Sequence, residues 1–258
     1  MARIHSTALV DPGAQLGEDV EIGPFSIIGA HVEIGEGSRV GAHAVITGHT
    51  RIGQGNRIFQ FVSLGEEPQD KKYAGEPTRL EIGDFNVIRE FCTFNTGTVQ
   101  DAGVTRIGNH NWVMAYVHIA HDCVVGNHTI FANNASLAGH SHIGDYAILG
   151  GFTGVHQFCR IGAHVITGIA SVIRQDVPPY FTIAGSPAAP HGINSEGLKR
   201  RGFTPEALTA IKRAYKTLYK SGLSLAEAQT AIETEAENTP ELRLLADFLA
   251  QSGRGIIR

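Results

Sequence analysis

Residues 107–161 read IGNHNWVMAYVHIAHDCVVGNHTIFANNASLAGHSHIGDYAILGGFTGVHQFCRI. Every sixth residue is a large aliphatic or a phenylalanine: Ile107, Val113, Ile119, Val125, Phe131, Leu137, Ile143, Leu149, Val155 and Ile161. Such a spacing fits neither a helix, with about 3.6 residues per turn, nor the alternation of an ordinary half-buried strand. It is the period of a hexapeptide parallel β-helix, in which each hexad supplies one short strand and one turn. Three hexads close a triangular coil of about eighteen residues, with the aliphatic side chains stacked inside. This repeat class winds left-handed, against the usual right-handed crossover; the handedness comes from the class, because spacing alone does not give it.

Working outward, the same phase runs from Val10 through Leu16, Ile22, Ile28, Ile34, Val40, Ile46, Ile52 and Ile58 to Leu64. It returns at Ile82, Ile88 and Phe94, and later continues to Ile173 with only Thr167 out of character. Two excursions interrupt it. GEEPQDKKYAGEPTR (65–79) replaces about one coil as a protruding loop, and residues 99–104 add a one-residue slip. Long departures from so regular a scaffold point to function.

Four positions after each aliphatic residue stands a small or β-branched filler such as Ala14, Ser26, Val32 or Ala135, and Cys92, Cys123 and Cys159 occupy this slot. They are therefore expected to be reduced core residues. An odd, dispersed count without a CxxC pair argues against a disulfide framework and a cysteine zinc site. Asn56, Asn86 and Asn111 break the filler rule and are expected to form a stacked amide ladder. Glycine often follows the aliphatic residue, where it is expected to permit the tight corner. His31, His43, His49, His110, His128 and His164 fall at turns and are expected to be solvated corner residues.

The hexads fade after Ile183, which divides the chain into a β-helix over 1–190 and a helical domain over 191–258. Thr204-Pro205-Glu206, Ser224 and Thr239-Pro240-Glu241 each read as a helix start. The fold class is mainly β. A net charge of −4 gives no field to attract nucleic acid, so an acidic partner must meet a local basic patch. The N-terminus has no signal-peptide pattern and no apolar run is long enough for a spanning helix, so a cytoplasmic chain is expected.

Stacking turns the sequence into a site. In the unbroken run, residues eighteen apart lie one above the other at about 4.8 Å. His121 then lies beneath Gly139 and Gln157, and Asp122 beneath His140, with His118 and His156 on the same edge. One histidine alone would mean little; converging titratable groups mark a site. Histidine is the base best matched to a sugar hydroxyl at neutral pH. Asp122 is placed to hold its tautomer, and the Gly139 N–H to meet an oxyanion. That is the equipment for acyl transfer from a thioester to an alcohol.

HIAHD (118–122), LAGH (137–140), VHQF (155–158), QDKKYAGEPTR (69–79) and NSEGLKRRGF (194–203) occur in an order that resembles one family over essentially the whole chain. It is the family of acyl-(acyl-carrier-protein)–UDP-N-acetylglucosamine O-acyltransferases, which begin lipid A synthesis. The resemblance implies a homotrimer with sites between subunits, transfer of an (R)-3-hydroxyacyl group to the glucosamine 3-hydroxyl, and no resident cofactor, since phosphopantetheine arrives on the acyl carrier protein. By the same resemblance His121 is the general base, Asp122 its orienting acid and Gly139 the oxyanion donor. Asp70, Lys72 and His118 are glucosamine-side contacts, with His140, His156 and Gln157 nearby. Asn194, Glu196, Arg200 and Arg201 are nucleotide contacts of the adjoining subunit. By itself, the LKRR run would read as a solvated helix face.

Two departures stand out. Asn95 and Thr96 replace a histidine-arginine pair frequent in the family, which puts that contact with the nucleotide or donor in doubt. Ile169, stacked over Gly151 and Asn133, replaces a glycine of some members and is expected to shorten the acyl channel. Lys199, Arg200, Arg201, Lys212, Arg213, Lys216 and Lys220 are expected to dock the acidic carrier. The alternatives are the related N-acyltransferase, a three-histidine zinc enzyme on the same scaffold, and a silent scaffold that binds no sugar nucleotide.

Overall fold

The computed structural model describes residues 1–252 and 255–258. From Arg3 onward the chain winds into a left-handed parallel β-helix with three faces of eleven, nine and eight strands among the described residues. The first face runs from Arg3–Ile4 to Phe181–Ala184, where Ala189–Ile193 folds back antiparallel. The second runs from Leu9–Val10 to Val172–Ile173, and the third from Gln15–Leu16 to Arg160–Ile161. Coils stack in the register the hexads dictate: His118 pairs with Ser136, and Ser136 with Gly154.

The hexad aliphatics fill the interior. Ile28, Ile46, Leu64, Ile88, Phe94, Ile119, Phe131, Leu137 and Leu149 are fully buried, and one cluster spans the length of the β-helix. Each such side chain contributes about 1.5–3 kcal/mol relative to exposure. Cys92, Cys123 and Cys159 are buried free thiols of this cluster. Burial pushes the Cys92 and Cys123 thiols up to about 12, so neither is a nucleophile at neutral pH.

The asparagine ladder forms where the phase is interrupted. Asn56 Oδ1 accepts from Asn86 N and Nδ2, Asn86 Oδ1 from Asn111 N, and Asn111 Oδ1 from Thr129 N and Oγ1, all at 2.7–3.0 Å. Its rungs cross the coils that carry the two excursions, so buried amides fix the register that the insertions disturb.

The corners differ from the expectation. Glycine holds the left-handed position at Gly37 and Gly55, but most of these positions are held by side-chain-bearing residues, among them Phe61, Phe91 and Tyr116 after the first face, Asp122, His140 and Phe158 after the second, and His110, His128, Tyr146 and His164 after the third. Except for Gly65 (φ 82°), the glycines after the aliphatics have ordinary φ and answer a different need. A Cβ on Gly35 would stand 2.5 Å from the Gly53 carbonyl carbon, and one on Gly144 would stand 2.5 Å from Ala163 N. Glycine is there to let successive coils approach. A left-handed residue with a Cβ costs about 1–2 kcal/mol, and ring stacking offsets part of it. Phe91 and Tyr116 stack at 4.8 Å, His128 and Tyr146 at 4.8 Å, and Tyr146 and His164 at 5.0 Å. The turn histidines His31, His43, His49, His110 and His128 are exposed, as expected of them, and in addition each joins a stacked pair or column. His31 and His49 stack on each other at 4.4 Å, and His164 is half-buried against Tyr180 and Phe203.

The helical part comprises α1 (Ser195–Arg200), α2 (Pro205–Lys220), α3 (Leu225–Ala236) and α4 (Arg243–Ala250). Thr204 caps α2, and Ser224 with Glu227 forms a capping box on α3. Thr239 makes no capping hydrogen bond; Pro240–Leu242 is a single 3-10 turn leading into α4. The end of the chain returns to the β-helix, where Ile256 bridges Asp176 and Ile257 joins its core. The helical segment is therefore tied to the coils at both ends.

Candidate active site

The corner after the second face carries His121, Asp122, Gly139 and His140 on successive coils. His140 N donates to His121 O and Phe158 N to Gly139 O at 3.0 and 3.1 Å, which sets these corners directly over one another. Asp122 is buried, with both carboxylate oxygens engaged. Its Oδ1 accepts from Thr98 N at 2.9 Å; its Oδ2 accepts from Thr98 Oγ1 at 2.6 Å and from His121 Nδ1 at 2.9 Å. Its own N–H donates to Thr105 Oγ1. Burial drives the Asp122 carboxyl up, but the hydrogen bonds from His121 and Thr98 outweigh it and hold the group below the usual carboxylate range.

An ionised carboxylate only accepts, so Nδ1 of His121 carries a proton and Nε2 has the free lone pair. That edge of the ring faces Gly139: a Cβ there would stand 2.5 Å from His121 Cε1 and 2.6 Å from Nε2. The Gly139 N–H donates to no protein group among the described residues. A basic nitrogen and a free amide donor therefore adjoin on two consecutive coils.

His140 sits edge-to-face with His121, ring centroids 5.0 Å apart. Its Nδ1 lies 2.8 Å from Asp101 Oδ2 and 3.9 Å from Asp122 Oδ2. His118 shares a 2.8 Å hydrogen bond with Thr93 Oγ1. Burial, with the neighbouring His121, lowers the His118 pKa and keeps it neutral. His156 and Gln157 are exposed one coil beyond Gly139. His121, Asp122 and His140 present donor atoms within 4.8 Å of one another, a spacing a metal ion would also accept. Asp122 Oδ2 and the Nδ1 atoms of His121 and His140 already have protein partners, which favours the hydrogen-bonded reading.

Asp70 and Lys72 lie on the 67–78 loop, which springs from the same face two strands before His118. Asp70 Oδ1 accepts from Lys72 N within the loop, and the Lys72 side chain is exposed. Asn95 and Thr96, expected to bear on ligand contacts, are buried at the base of this loop. Asn95 Nδ2 donates to Glu67 O at 2.8 Å, and Thr96 N to Glu66 O at 3.1 Å. They anchor the loop.

The remaining expected residues stand elsewhere on the chain. Asn194 caps α1 through Gly197 N and donates to His164 O, at the corner after the third face. Arg201 donates to Gly197 O and Tyr146 O and covers the Tyr146 ring. These two side chains are thus engaged within the fold. Glu196 pairs with Lys199, and Arg200 is exposed. Ile169, 74 % exposed, belongs to the corner after the first face. One chain therefore distributes the expected residues over three corners of a triangular prism. Thr98, Thr105 and Asp101 went unread in the sequence. The one-residue slip that they flank or occupy was their signal.

The C-terminal residues 176–257 match the family profile described as UDP N-acetylglucosamine O-acyltransferase, domain 2, and residues 1–35, 13–48 and 105–139 match the bacterial transferase hexapeptide profile. The acyl-(acyl-carrier-protein)–UDP-N-acetylglucosamine O-acyltransferase of Thiobacillus denitrificans is 73% identical over 258 residues, covering 100% of both chains. The chain belongs to the family of acyl-(acyl-carrier-protein)–UDP-N-acetylglucosamine O-acyltransferases. The Herminiimonas arsenicoxydans member is 63% identical, again over 100% of both chains. Among solved structures, LpxA from Acinetobacter baumannii superposes with a TM-score of 0.97 at 52% identity, over 99% of each chain. The Francisella novicida UDP-N-acetylglucosamine acyltransferase does so with 0.97 at 45%, over 99% of this chain and 94% of that one.

Proposed function

We propose that this chain transfers an (R)-3-hydroxyacyl group from acyl carrier protein to the 3-hydroxyl of UDP-N-acetylglucosamine, the opening step of lipid A synthesis, with His121 as general base. The observation that carries the reading is the free Nε2 edge of His121 lying against Gly139, with Nδ1 fixed by Asp122. In the proposed step Nε2 takes the proton of the sugar hydroxyl as its oxygen attacks the thioester carbonyl carbon. The tetrahedral oxyanion receives the Gly139 N–H. Collapse breaks the carbon–sulfur bond, and the departing phosphopantetheine thiolate takes the proton back from His121. Base and proton donor are one residue, so no other proton source is required.

Asp70, Lys72, His118, His140, His156 and Gln157 are proposed to surround the sugar and donor. Asn194, Glu196, Arg200 and Arg201 are proposed to belong to the nucleotide site of an adjoining subunit, with Asn194 and Arg201 shaping it through their internal bonds. A homotrimer is supported by this distribution over separate corners. It is also supported by the exposed aromatic column Phe61, Phe91 and Tyr116, which is costly to leave in water. Lys212, Lys216 and Lys220 form an exposed stripe at i, i+4 and i+8 on α2 and are proposed to meet the acidic carrier. Lys199 and Arg213 already face Glu196 and Glu235. No described helix is long and apolar enough to cross a membrane; the reaction is proposed to be cytoplasmic. Mass-spectrometric detection of 3-O-acylated sugar nucleotide from purified components tests the proposal.

A further inference from the structure

The 96–103 excursion reaches across the site and touches it at three points. Thr98, at its start, and Thr105, just past its end, both hold Asp122. Asp101, at its tip, meets His140, a residue 39 positions away, where stacked coils normally bring together residues eighteen apart. The Asp101 carboxylate is itself oriented: Oδ1 accepts from Ala102 N at 2.8 Å, which leaves Oδ2 for His140 Nδ1, also at 2.8 Å. His140 is further gripped by Phe158, stacked on its face at 4.3 Å and 5°.

We infer that Asp101 is a positioning residue: it forms a second Asp–His couple with His140, set perpendicular to the Asp122–His121 couple. A carboxylate accepts only, so the proton of neutral His140 sits on Nδ1 and its Nε2 is presented as an acceptor, as in His121. Phe158 fixes the plane of the ring, and Asp101 fixes which of its two edges carries the proton. Stacking alone does not distinguish the ring from its flipped form. Without Asp101 the imidazole is free to flip about its Cβ–Cγ bond, and part of the enzyme presents the wrong nitrogen to substrate. This inference rests on the acyl-transfer reading of the same corner, in which His140 adjoins the bound substrates.

A double-mutant cycle in the full-length enzyme tests it, with kcat and KM for both substrates measured for Asp101→Ala, Asp101→Asn, His140→Ala and Asp101→Ala/His140→Ala. Asp101→Ala is expected to lower kcat about tenfold, within the coupling range of contacting residues, with melting temperature unchanged. Asp101→Asn, whose amide oxygen still accepts from Nδ1, is expected to recover most of the rate. In the His140→Ala background Asp101→Ala should cost less than twofold. An equal loss with and without His140, or no loss in Asp101→Ala, overturns the inference. Absence of transfer by the parent enzyme would instead defeat the underlying acyltransferase reading, so the two failures are distinct.

Discussion

His121 lies with its Nε2–Cε1 edge against Gly139, so close that a methyl group there would stand 2.6 Å from Nε2. Any side chain at this corner would collide with the His121 ring and fill the space in which the proposed step brings hydroxyl, base and carbonyl together. Gly139→Ala is therefore expected to lower kcat by about a hundredfold or more, the scale of a displaced base or oxyanion donor. The rest of the fold should survive. Steady-state transfer assays with a melting curve check it; a fully active alanine variant would contradict the geometry.

Asp122 holds His121 in one tautomer, and Thr98 holds Asp122. Asp122→Asn leaves one amide oxygen for three donors, Thr98 N, Thr98 Oγ1 and His121 Nδ1; with Thr98 N holding that oxygen, the buried NH2 faces Nδ1 and selects the other tautomer, so kcat should fall by about a hundredfold or more. Thr98→Val removes the Oγ1 bond but leaves Thr98 N–H on Oδ1. About tenfold is expected there, from one lost charge-assisted hydrogen bond. The ordering of the two variants, read as kcat ratios, is the test.

Ile169 is exposed on one chain, as a residue lining a channel completed by another subunit would be. Ile169→Gly removes its branched side chain where Gly151 stands one coil below. The variant is expected to shift preference towards a longer 3-hydroxyacyl donor in a mixed-donor competition. An unchanged product profile would remove Ile169 from the channel.

His164 gives stability a pH dependence. Burial, with Arg201 adding to it, lowers its pKa to about 4 from an ordinary value near 6.5. Between these values the unfolded chain takes up a proton that the folded chain refuses, so stability falls as pH drops from about 6.5 to about 4 and this contribution is complete above that window. Phe158 and Phe85 occupy the same left-handed corner position elsewhere, so His164→Phe should fold. Its melting temperature is expected to lose the part of the acid sensitivity that His164 supplies. Parallel melting curves of parent and variant across this window check the sign.

Much of this was legible because the coil is nearly one-dimensional: a six-residue period in the sequence becomes a stack in space. Ile119, Leu137 and Val155 announced the interior, and counting by eighteen from His121 led to Gly139. The filler slot likewise explained the buried cysteines and the Asn56–Asn86–Asn111 ladder. What escaped were relations that do not follow the period. Asp101 meets His140 only because an irregular loop folds over the edge, and no periodic rule describes that contact. The left-handed corners were assigned to glycine on intrinsic preference; stacking between coils overrides that preference at Phe61, Phe91 and Tyr116. Asn95 read as an altered ligand contact because its burial beneath the 67–78 loop depends on a chain excursion without a fixed shape in sequence.

The most direct test of the central claim is acyl transfer from a graded set of (R)-3-hydroxyacyl carrier proteins to UDP-N-acetylglucosamine, measured for the parent and for His121→Ala. The account predicts 3-O-acylated product from the parent and loss of nearly all turnover in the variant, with its fold intact. Turnover by His121→Ala near the parent rate, or no product from the parent with any donor, would contradict it.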